Sequence, residues 1–232
     1  RPIIEMWSRR THEESAVAAA RAAWIAGFGP TSNLAAGYRY GVPTSGTAAH
    51  AFTLLHDNES DAFTAQLAAY GRDTTLLVDT YDIEAGVREA VRLTDGELGA
   101  VRIDSGDLTI VARQVRDLLD DLGATETKIV VSGDLDEYAI ASLRAEPVDT
   151  YGVGTSLVTG SGAPTAGMVY KLVEVDGIRL TSPAHTWVDL GGQTRLLDDL
   201  VDALHLVGTP LAEVVALGIS NLLTARRGIG HD

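Results

Sequence analysis

One histidine of the sequence stands where a side chain could carry out phosphoryl chemistry. His50 ends the stretch Val-Pro-Thr-Ser-Gly-Thr-Ala-Ala-His, in which residues 42–43 are typical of a strand end and residues 45–47 of a turn with a helix N-cap. This pattern predicts that His50 lies one turn into a helix, beside free backbone N–H groups that bind anions such as phosphate. An imidazole there can act as a nucleophile and form a covalent intermediate. The alternative is a helix histidine whose ring hydrogen-bonds a carbonyl group.

Four aspartates near the ends of strand-like segments form the second group of candidates: Asp79, Asp104, Asp107 and Asp134. Such carboxylates could bind sugar hydroxyl groups or, through water, a magnesium ion that carries diphosphate. Asp107 and Asp134 directly precede apolar helix starts, so helix capping is the competing interpretation for both. Capping explains Asp79 and Asp104 less well, because these two lie on the strand side of their turns.

An arginine and a glycine-rich turn complete the set of candidates. Arg102 alternates with apolar residues in the segment Val-Arg-Ile-Asp at 101–104, and an arginine in a buried strand requires a carboxylate or phosphate partner. The turn Gly-Val-Gly-Thr-Ser at 152–156 has glycines that let backbone N–H groups approach a phosphate monoester, together with two hydroxyl groups. A tight turn without a ligand is the alternative for this short pattern.

The elements that must position these residues follow an alternating pattern. Strands are predicted at 75–78, 100–103, 128–131 and 150–153, and helices between them at 83–93, 108–122 and 135–144. This alternation builds a parallel sheet with helices outside, either open or closed into a barrel. Because the carboxyl ends of parallel strands share one rim, the candidate residues are predicted to meet there.

The remaining elements are predicted from shorter patterns at the two ends of the chain. Residues 1–10 are consistent with a strand that delivers an arginine to an anion, and the pair Asp176-Gly177 predicts a β-hairpin. Helices are predicted at 12–28, 31–37, 47–57, 60–71, 196–206 and 209–226.

Composition restricts the class of protein. The 232 residues are 45% hydrophobic, enough to bury the core of one larger domain. No apolar run is long enough to cross a bilayer and no secretory signal opens the chain, so a cytoplasmic protein without a membrane partner is predicted. The absence of cysteine excludes disulfides, thiolate zinc sites and cysteine nucleophiles. A net charge of −14 argues against a nucleic-acid partner.

Six ordered motifs together resemble those of the nicotinate phosphoribosyltransferases, which are type II phosphoribosyltransferases. They include Thr-Ser-Asn-Leu-Ala-Ala-Gly at 31–37, Leu-Val-Asp-Thr-Tyr-Asp at 77–82 and Arg-Ile-Asp-Ser-Gly-Asp-Leu at 102–108. The others are the stretch that ends at His50, Ser-Gly-Asp-Leu at 132–135, and the segment 151–172. The resemblance covers about residues 1–175, and six motifs in the family's order are more specific than any one of them.

The resemblance implies an irregular TIM-like α/β barrel with parallel strands, plus a β-hairpin and C-terminal helices. By comparison with the family, residues 1–232 are expected to form one barrel domain of a fragment that lacks the family's N-terminal domain. The opening at Arg1 without an initiator methionine is typical of a fragment or of a processed chain. The implied reaction converts nicotinate and phosphoribosyl diphosphate to nicotinate mononucleotide and diphosphate in NAD biosynthesis. Mg²⁺ as cofactor, ATP as co-substrate and a homodimer are also implied.

The family's motifs assign roles to residues of this chain. His50 matches the phosphorylated histidine, and Asp104 is the second catalytic residue. Among the implied substrate-binding residues, Arg9 would hold the pyridine carboxylate or a substrate phosphate, and Ser32 would lie near the pyridine carboxylate. The others are Asp79, Arg102, Gly133 and Asp134 near the ribose and its phosphate, and Gly154 with Thr155 at the 5′-phosphate. Asp79 is additionally implied as a ligand of the metal through water.

Two departures from the family's pattern and three alternatives bear on the function. Met-Trp-Ser-Arg at 6–9 replaces an aromatic-glycine pair before the arginine, and the segment 181–195 lacks the lysines usual in the family. Nicotinamide phosphoribosyltransferase is an alternative, although the neutral Ser32-Asn33 tolerates a carboxylate better than an acidic residue would. Quinolinate phosphoribosyltransferase would need a more basic pocket. A truncated, non-catalytic barrel that acts as a binding or regulatory domain is the alternative from another class.

Overall fold

The computed structural model describes residues 1–6, 8 and 11–160, and the paired strands at residues 174–175 and 178–179. The strands are β1 (Ile3–Glu5), β2 (Thr75–Leu77), β3 (Ala100–Ile103), β4 (Lys128–Val131), β5 (Thr150–Val153), β6 (Glu174–Val175) and β7 (Ile178–Arg179). The helices are α1 (Glu13–Ile25), α2 (Leu34–Tyr40), α3 (His50–Leu54), α4 (Glu59–Tyr70), α5 (Ile83–Thr94), α6 (Leu108–Asp121), α7 (Glu137–Ser142), a 3₁₀ turn (Leu143–Ala145) and α8 (Thr155–Thr159).

Five of these strands form a parallel sheet in the order β1-β5-β4-β3-β2. Each neighbouring pair is parallel, with Ile3 opposite Tyr151 and Ile103 opposite Val131. Two parallel bridges continue the sheet beyond β1, because Thr31 pairs with Glu5 on one side and with Thr44 on the other. The carboxyl ends of all these segments therefore lie on one rim.

Side chains join the two opposite edges of this curved sheet. Thr47 follows the bridge at Thr44, and its hydroxyl accepts a hydrogen bond of 2.7 Å from Arg102 in β3. His50 hydrogen-bonds Thr80, which follows β2 at the far edge, over 3.1 Å. The sheet thus curls into a barrel whose edges meet through polar side chains, which confirms the predicted α/β barrel with parallel strands.

The core lies between the sheet and helices α4 to α6. Leu76, Val101, Ile103 and Ile129 are fully buried on the strands. Burying each such aliphatic side chain contributes about 1.5–3 kcal/mol to folding. Helix α5 buries every third or fourth residue, which is the periodicity of an amphipathic helix. Its Gly86 allows close packing, because a Cβ there would lie 2.5 Å from the carbonyl oxygen of Val78.

Most predicted elements are found within a few residues of their predicted bounds. The strands after residue 74, helix α4 and helix α6 agree closely, and β6 and β7 form the predicted hairpin. The predicted helix 12–28 is shorter, because α1 ends at Ile25 before the turn at Gly27. The predicted helix 31–37 is shifted to 34–40, because the Asn33 side chain caps α2 by accepting from the N–H of Ala36.

The helix predicted at 47–57 differs most from the structure. Helix α3 begins at His50 and ends at Leu54, and its N-cap residue Ala49 provides no side-chain cap. The prediction of an N-cap at 45–47 was wrong because the Thr47 hydroxyl is occupied by Arg102. His50 is therefore the first residue of the helix and does not lie one turn into it.

Two predicted elements are shorter than expected, and others lie outside the described residues. Residues 42–43 are not part of a strand, since only Thr44 makes a β-bridge. The helix predicted at 135–144 covers 137–142, because Asp136 is the residue that caps α7. The predicted helices 196–206 and 209–226 lie outside the described residues, so the extent of the domain over 1–232 stays a prediction. Among the described helices, none has the length and apolar character that crossing a membrane requires.

Candidate active site

His50 lies at the rim where the two edges of the barrel meet. Its Nδ1 is 3.1 Å from the Thr80 hydroxyl, and its Nε2 is 3.8 Å from Asp79 Oδ1 and 4.0 Å from Asp104 Oδ2. About a quarter of its side chain is exposed, whereas Asp79 is fully buried. One ring nitrogen is therefore held by a hydroxyl group and the other faces two carboxylates, an arrangement that orients and polarises an imidazole.

Arg102 connects three elements of the site. Its guanidinium donates to the Ser132 hydroxyl, to Asp104 Oδ1 and to the Thr47 hydroxyl, each over 2.7 Å. Ser132 in turn donates to Asp104 Oδ1 over 2.5 Å. The sequence predicted a carboxylate or phosphate partner for this strand arginine, and Asp104 is that partner in the structure.

Asp104 is held in its charged form. Burial by itself raises the pKa of this carboxyl, but the nearby Arg102 charge, the hydrogen bonds from Ser132 and Arg102, and His50 outweigh burial and lower it below its ordinary value. Asp104 Oδ1 takes up both hydrogen bonds, so that Oδ2 is the oxygen directed at His50. A charged carboxylate at this rim can stabilise positive charge on a bound ligand.

Asp79 is buried beneath the histidine. Its Oδ2 accepts hydrogen bonds from the Asp104 backbone N–H over 2.9 Å and from the Ser105 hydroxyl over 2.6 Å. Its Oδ1 has no hydrogen-bond partner among the described residues and faces His50 Nε2. These contacts connect the end of β2 to the turn after β3 and place a carboxylate against the imidazole.

The glycine-rich loops lie next to this cluster. Gly133 has φ +117°, and a Cβ there would lie 2.7 Å from the Asp104 carbonyl oxygen, so only glycine fits. Asp134 accepts a hydrogen bond of 2.8 Å from the Thr155 hydroxyl, which joins the loop after β4 to the start of α8. Gly154 is the N-cap residue of α8. Asp107, in contrast, caps α6 with its carboxylate, as the capping alternative predicted.

The predicted pyridine-binding residues are only partly described. Ser32 directly follows the bridge residue Thr31, and its backbone N–H donates to the Glu5 carbonyl over 2.7 Å. This pairing places Ser32 on the same rim as His50. Arg9 lies outside the described residues, so its role stays a prediction.

Four hydroxyl residues of the site were not predicted as site residues from the sequence: Thr47, Thr80, Ser105 and Ser132. Each lies in one of the motifs that predicted the site, directly next to or within three residues of a predicted site residue. Their side chains hold the functional groups of His50, Asp79, Arg102 and Asp104. In the sequence, each of these residues lies close to a charged residue at a strand end, and this was the signal that could have found them. Sequence position alone does not predict which group each hydroxyl binds.

The site offers limited coordination for a metal ion. No group of three or more histidine, aspartate or glutamate side chains in the described part of the chain is arranged to hold a metal. Mg²⁺ needs only one or two protein carboxylates when water and substrate phosphates complete its octahedron. Asp104 fits this requirement through Oδ2, whereas the fully buried Asp79 could reach a metal only through water.

The fold and this rim define an α/β-barrel protein with its site at the carboxyl ends of parallel strands. No family model matches the chain. The chain is 63% identical over 205 residues to nicotinate phosphoribosyltransferase pncB1 of Mycobacterium tuberculosis, covering 85% of this chain and 46% of that protein. It is 42% identical over 183 residues to nicotinate phosphoribosyltransferase of Bacillus subtilis, covering 75% of this chain and 37% of that one. The chain belongs to the nicotinate phosphoribosyltransferase family.

A solved structure agrees with this assignment. The crystal structure of nicotinate-nucleotide pyrophosphorylase from Pyrococcus furiosus matches with a TM-score of 0.64 at 27% identity, covering 78% of this chain and 48% of that one. The chain thus spans about half the length of the relatives that it matches.

Proposed function

We propose that the protein to which this chain belongs is a nicotinate phosphoribosyltransferase of NAD biosynthesis. It forms nicotinate mononucleotide and diphosphate from nicotinate and phosphoribosyl diphosphate, with coupled hydrolysis of ATP. The observation that carries the proposal is the placement of His50 against Asp79 and Asp104 at the barrel rim, in a chain 63% identical to a relative of that name.

His50 is the proposed acceptor of the γ-phosphoryl group of ATP. A neutral ring nitrogen attacks the γ-phosphorus as ADP leaves, and hydrolysis of the phosphohistidine later returns the free imidazole. The buried carboxyl group of Asp79 next to the ring stabilises the positive charge that the imidazole gains during the attack. Coupling through His50 lets ATP change substrate affinity or turnover.

The transfer of the ribosyl group is assigned to the neighbouring loops. The nicotinate ring nitrogen attacks the anomeric carbon as diphosphate leaves, and positive charge develops on the ribose. The charged Asp104 stabilises this centre, with Arg102 holding its carboxylate in place. Gly133 and Asp134 approach the sugar in this proposal, and Gly154 with Thr155 binds the 5′-phosphate.

The metal supplies charge neutralisation. Asp104 and, through water, Asp79 would hold Mg²⁺. When bound, the ion would offset the negative charge on the departing diphosphate.

The acid substrate is favoured over the amide. Ser32 is neutral and sits on the rim, and with Arg9 it is proposed to bind the pyridine carboxylate. The matched relatives are named as nicotinate enzymes, and no observation favours nicotinamide or a non-catalytic barrel. A homodimer and a cytoplasmic location complete the proposal.

Transfer of labelled phosphate tests the proposal directly. The full-length protein is incubated with γ-labelled ATP and Mg²⁺, and acid-labile label is measured together with nicotinate mononucleotide. We expect label and coupled product in the wild type, and loss of the label and of the ATP stimulation in His50→Ala. Nicotinamide in place of nicotinate is expected to give little product.

His56→Ala is the matched control, because His56 lies just beyond the same short helix and its Nδ1 hydrogen-bonds locally, to the Phe52 carbonyl over 2.8 Å. It should retain label and product. Well-folded wild-type protein that gives neither label nor product would overturn the proposed activity and support the non-catalytic alternative.

A further inference from the structure

Thr80 lies directly behind the imidazole of His50. It follows Asp79 at the end of β2 and is fully buried. Its hydroxyl oxygen is 3.1 Å from His50 Nδ1, which is hydrogen-bond distance. Burial of a hydroxyl group is costly unless it is hydrogen-bonded, so the position of this group is set by its contacts and not by solvent.

The local backbone does not fix the orientation of His50. Helix α3 has only five residues, begins at His50 and has no side-chain cap. The χ2 torsion of histidine is broad and roughly two-fold, so a flip of the ring, which exchanges Nδ1 with Cδ2 and Nε2 with Cε1, costs little by itself. The orientation of the ring therefore depends on the groups that its two nitrogens contact.

The two carboxylates alone do not fix which way the His50 ring is flipped. Asp79 and Asp104 lie 3.8 and 4.0 Å from Nε2, beyond the distance of a direct hydrogen bond. The hydroxyl of Thr80 is the closer contact and lies on the other nitrogen. A hydrogen bond at Nδ1 determines that Nε2 faces the carboxylates, and whether the Thr80 hydroxyl donates or accepts in this bond depends on the tautomer of the ring.

We infer that Thr80 is a positioning residue, whose buried hydroxyl holds Nδ1 of His50 and thereby directs Nε2 toward Asp79 and Asp104. The consequence of this ring orientation for catalysis rests on the proposed function, in which His50 accepts the phosphoryl group. The orientation of the ring itself does not depend on that function.

The test compares substitutions of Thr80 with a substitution of a buried threonine elsewhere in the fold. Thr80→Val removes the hydroxyl and keeps the volume, Thr80→Ser keeps the hydroxyl, and Thr80→Ala replaces Thr80→Val if circular dichroism shows that the valine variant does not fold. Thr94→Val is the control, because Thr94 is also fully buried but donates to the Ala90 carbonyl within α5. Each is made in the full-length protein.

The first readout is the ¹⁵N NMR spectrum of the His50 ring, assigned by its loss in His50→Gln. We expect Thr80→Val to change the ratio of the two neutral tautomers, while Thr80→Ser and Thr94→Val match the wild type. A wild-type His50 spectrum in a folded Thr80→Val or Thr80→Ala variant would overturn the inference. So would a Thr80→Ser spectrum that is disturbed as much as that of Thr80→Val.

The second readout is the rate of phosphoryl transfer from γ-labelled ATP to His50. Loss of one aligning hydrogen bond is expected to slow labelling about tenfold, with the KM for nicotinate unchanged and the rate restored in Thr80→Ser. Labelling that stays at the wild-type rate in a variant with an altered spectrum would refute the catalytic consequence. If the wild type itself is not labelled, the proposed function has failed, and the NMR spectra still decide the role of Thr80.

Discussion

Glu59 carries a carboxyl group whose ionisation we expect to weaken the fold beside the site. It is the first residue of α4, and its Oε1 is buried without a hydrogen-bond partner among the described residues. Burial, followed by the charges of Asp79, Asp82 and Glu89, raises the pKa of Glu59 from its ordinary 4.5 to about 7. The carboxyl therefore keeps its proton in the folded protein at a pH where the unfolded chain has lost it.

The sign and size of the effect follow from this difference. The contribution of the protonated Glu59 carboxyl to the free energy of unfolding is fully present below pH 4.5. It is lost as the pH rises through about 7, because the folded state then gives up a proton and buries a charge. The difference between the two pKa values corresponds to an upper limit of about 3 kcal/mol. Solvent reaches this partly buried side chain, so we expect about 1–2 kcal/mol.

Urea unfolding of Glu59→Gln checks the expectation. Glutamine is neutral at every pH and has nearly the shape of the protonated carboxyl. The variant should match the wild type at about pH 4 and exceed its free energy of unfolding by about 1–2 kcal/mol at about pH 8.5. Glu126→Gln is the control, because Glu126 is exposed between α6 and β4. It should parallel the wild type at both pH values.

Two results would refute the reasoning. If Glu59→Gln lost stability equally at both pH values, the carboxylate would be making a favourable contact that outweighs its burial. If the wild type and Glu59→Gln differed by the same small amount as the wild type and Glu126→Gln, Glu59 would titrate as an ordinary surface group.

Two further substitutions test the packing of the site. Gly133→Ala should lower the free energy of unfolding by about 2–4 kcal/mol, because a Cβ would meet the Asp104 carbonyl in addition to the strain of a positive φ. Gly123→Ala, which has a positive φ but open space around it, should cost only about 1 kcal/mol in the same urea titration, and equal costs would contradict the clash. Arg102→Lys should cost about 1–3 kcal/mol, since an ammonium cannot reproduce the planar fork that reaches Ser132, Thr47 and Asp104. Wild-type stability of that variant would show that the fork geometry is not required.

The regular half of the barrel could be predicted because its signals are local. Strands β2 to β5 are apolar, β-rich segments, and the helices between them have turn residues at their ends. The same regularity located Asp79 and Asp104 at strand ends, and the apolar alternation around Arg102 predicted that this arginine has a charged partner. These conclusions need only the periodicity of apolar residues in the sequence and the rule that the carboxyl ends of parallel strands lie on one rim.

The contacts between the two edges of the barrel could not be predicted in the same way. The sequence around Thr47 is typical of a helix N-cap, but in the structure the Thr47 hydroxyl accepts a hydrogen bond from Arg102. The partner of Thr80 depends equally on curvature that brings residues 30 positions apart together. Where a tertiary partner competes with a local one for the same hydroxyl group, the local pattern alone gives the wrong helix start.

The position of β1 has a consequence for the order in which the chain folds. β1 pairs with β5, and Arg1 hydrogen-bonds the Tyr151 hydroxyl 150 positions away, whereas β2, β3 and β4 each pair with the next strand along the chain. β1 therefore pairs with a strand that lies more than a hundred residues further along the chain, and closing that loop costs entropy before any contact forms. We expect β2 to β5 to assemble early and β1 to dock last. The barrel edge that carries His50 is built onto β1 through Thr31 and Thr44, so the site would be completed only at that final step.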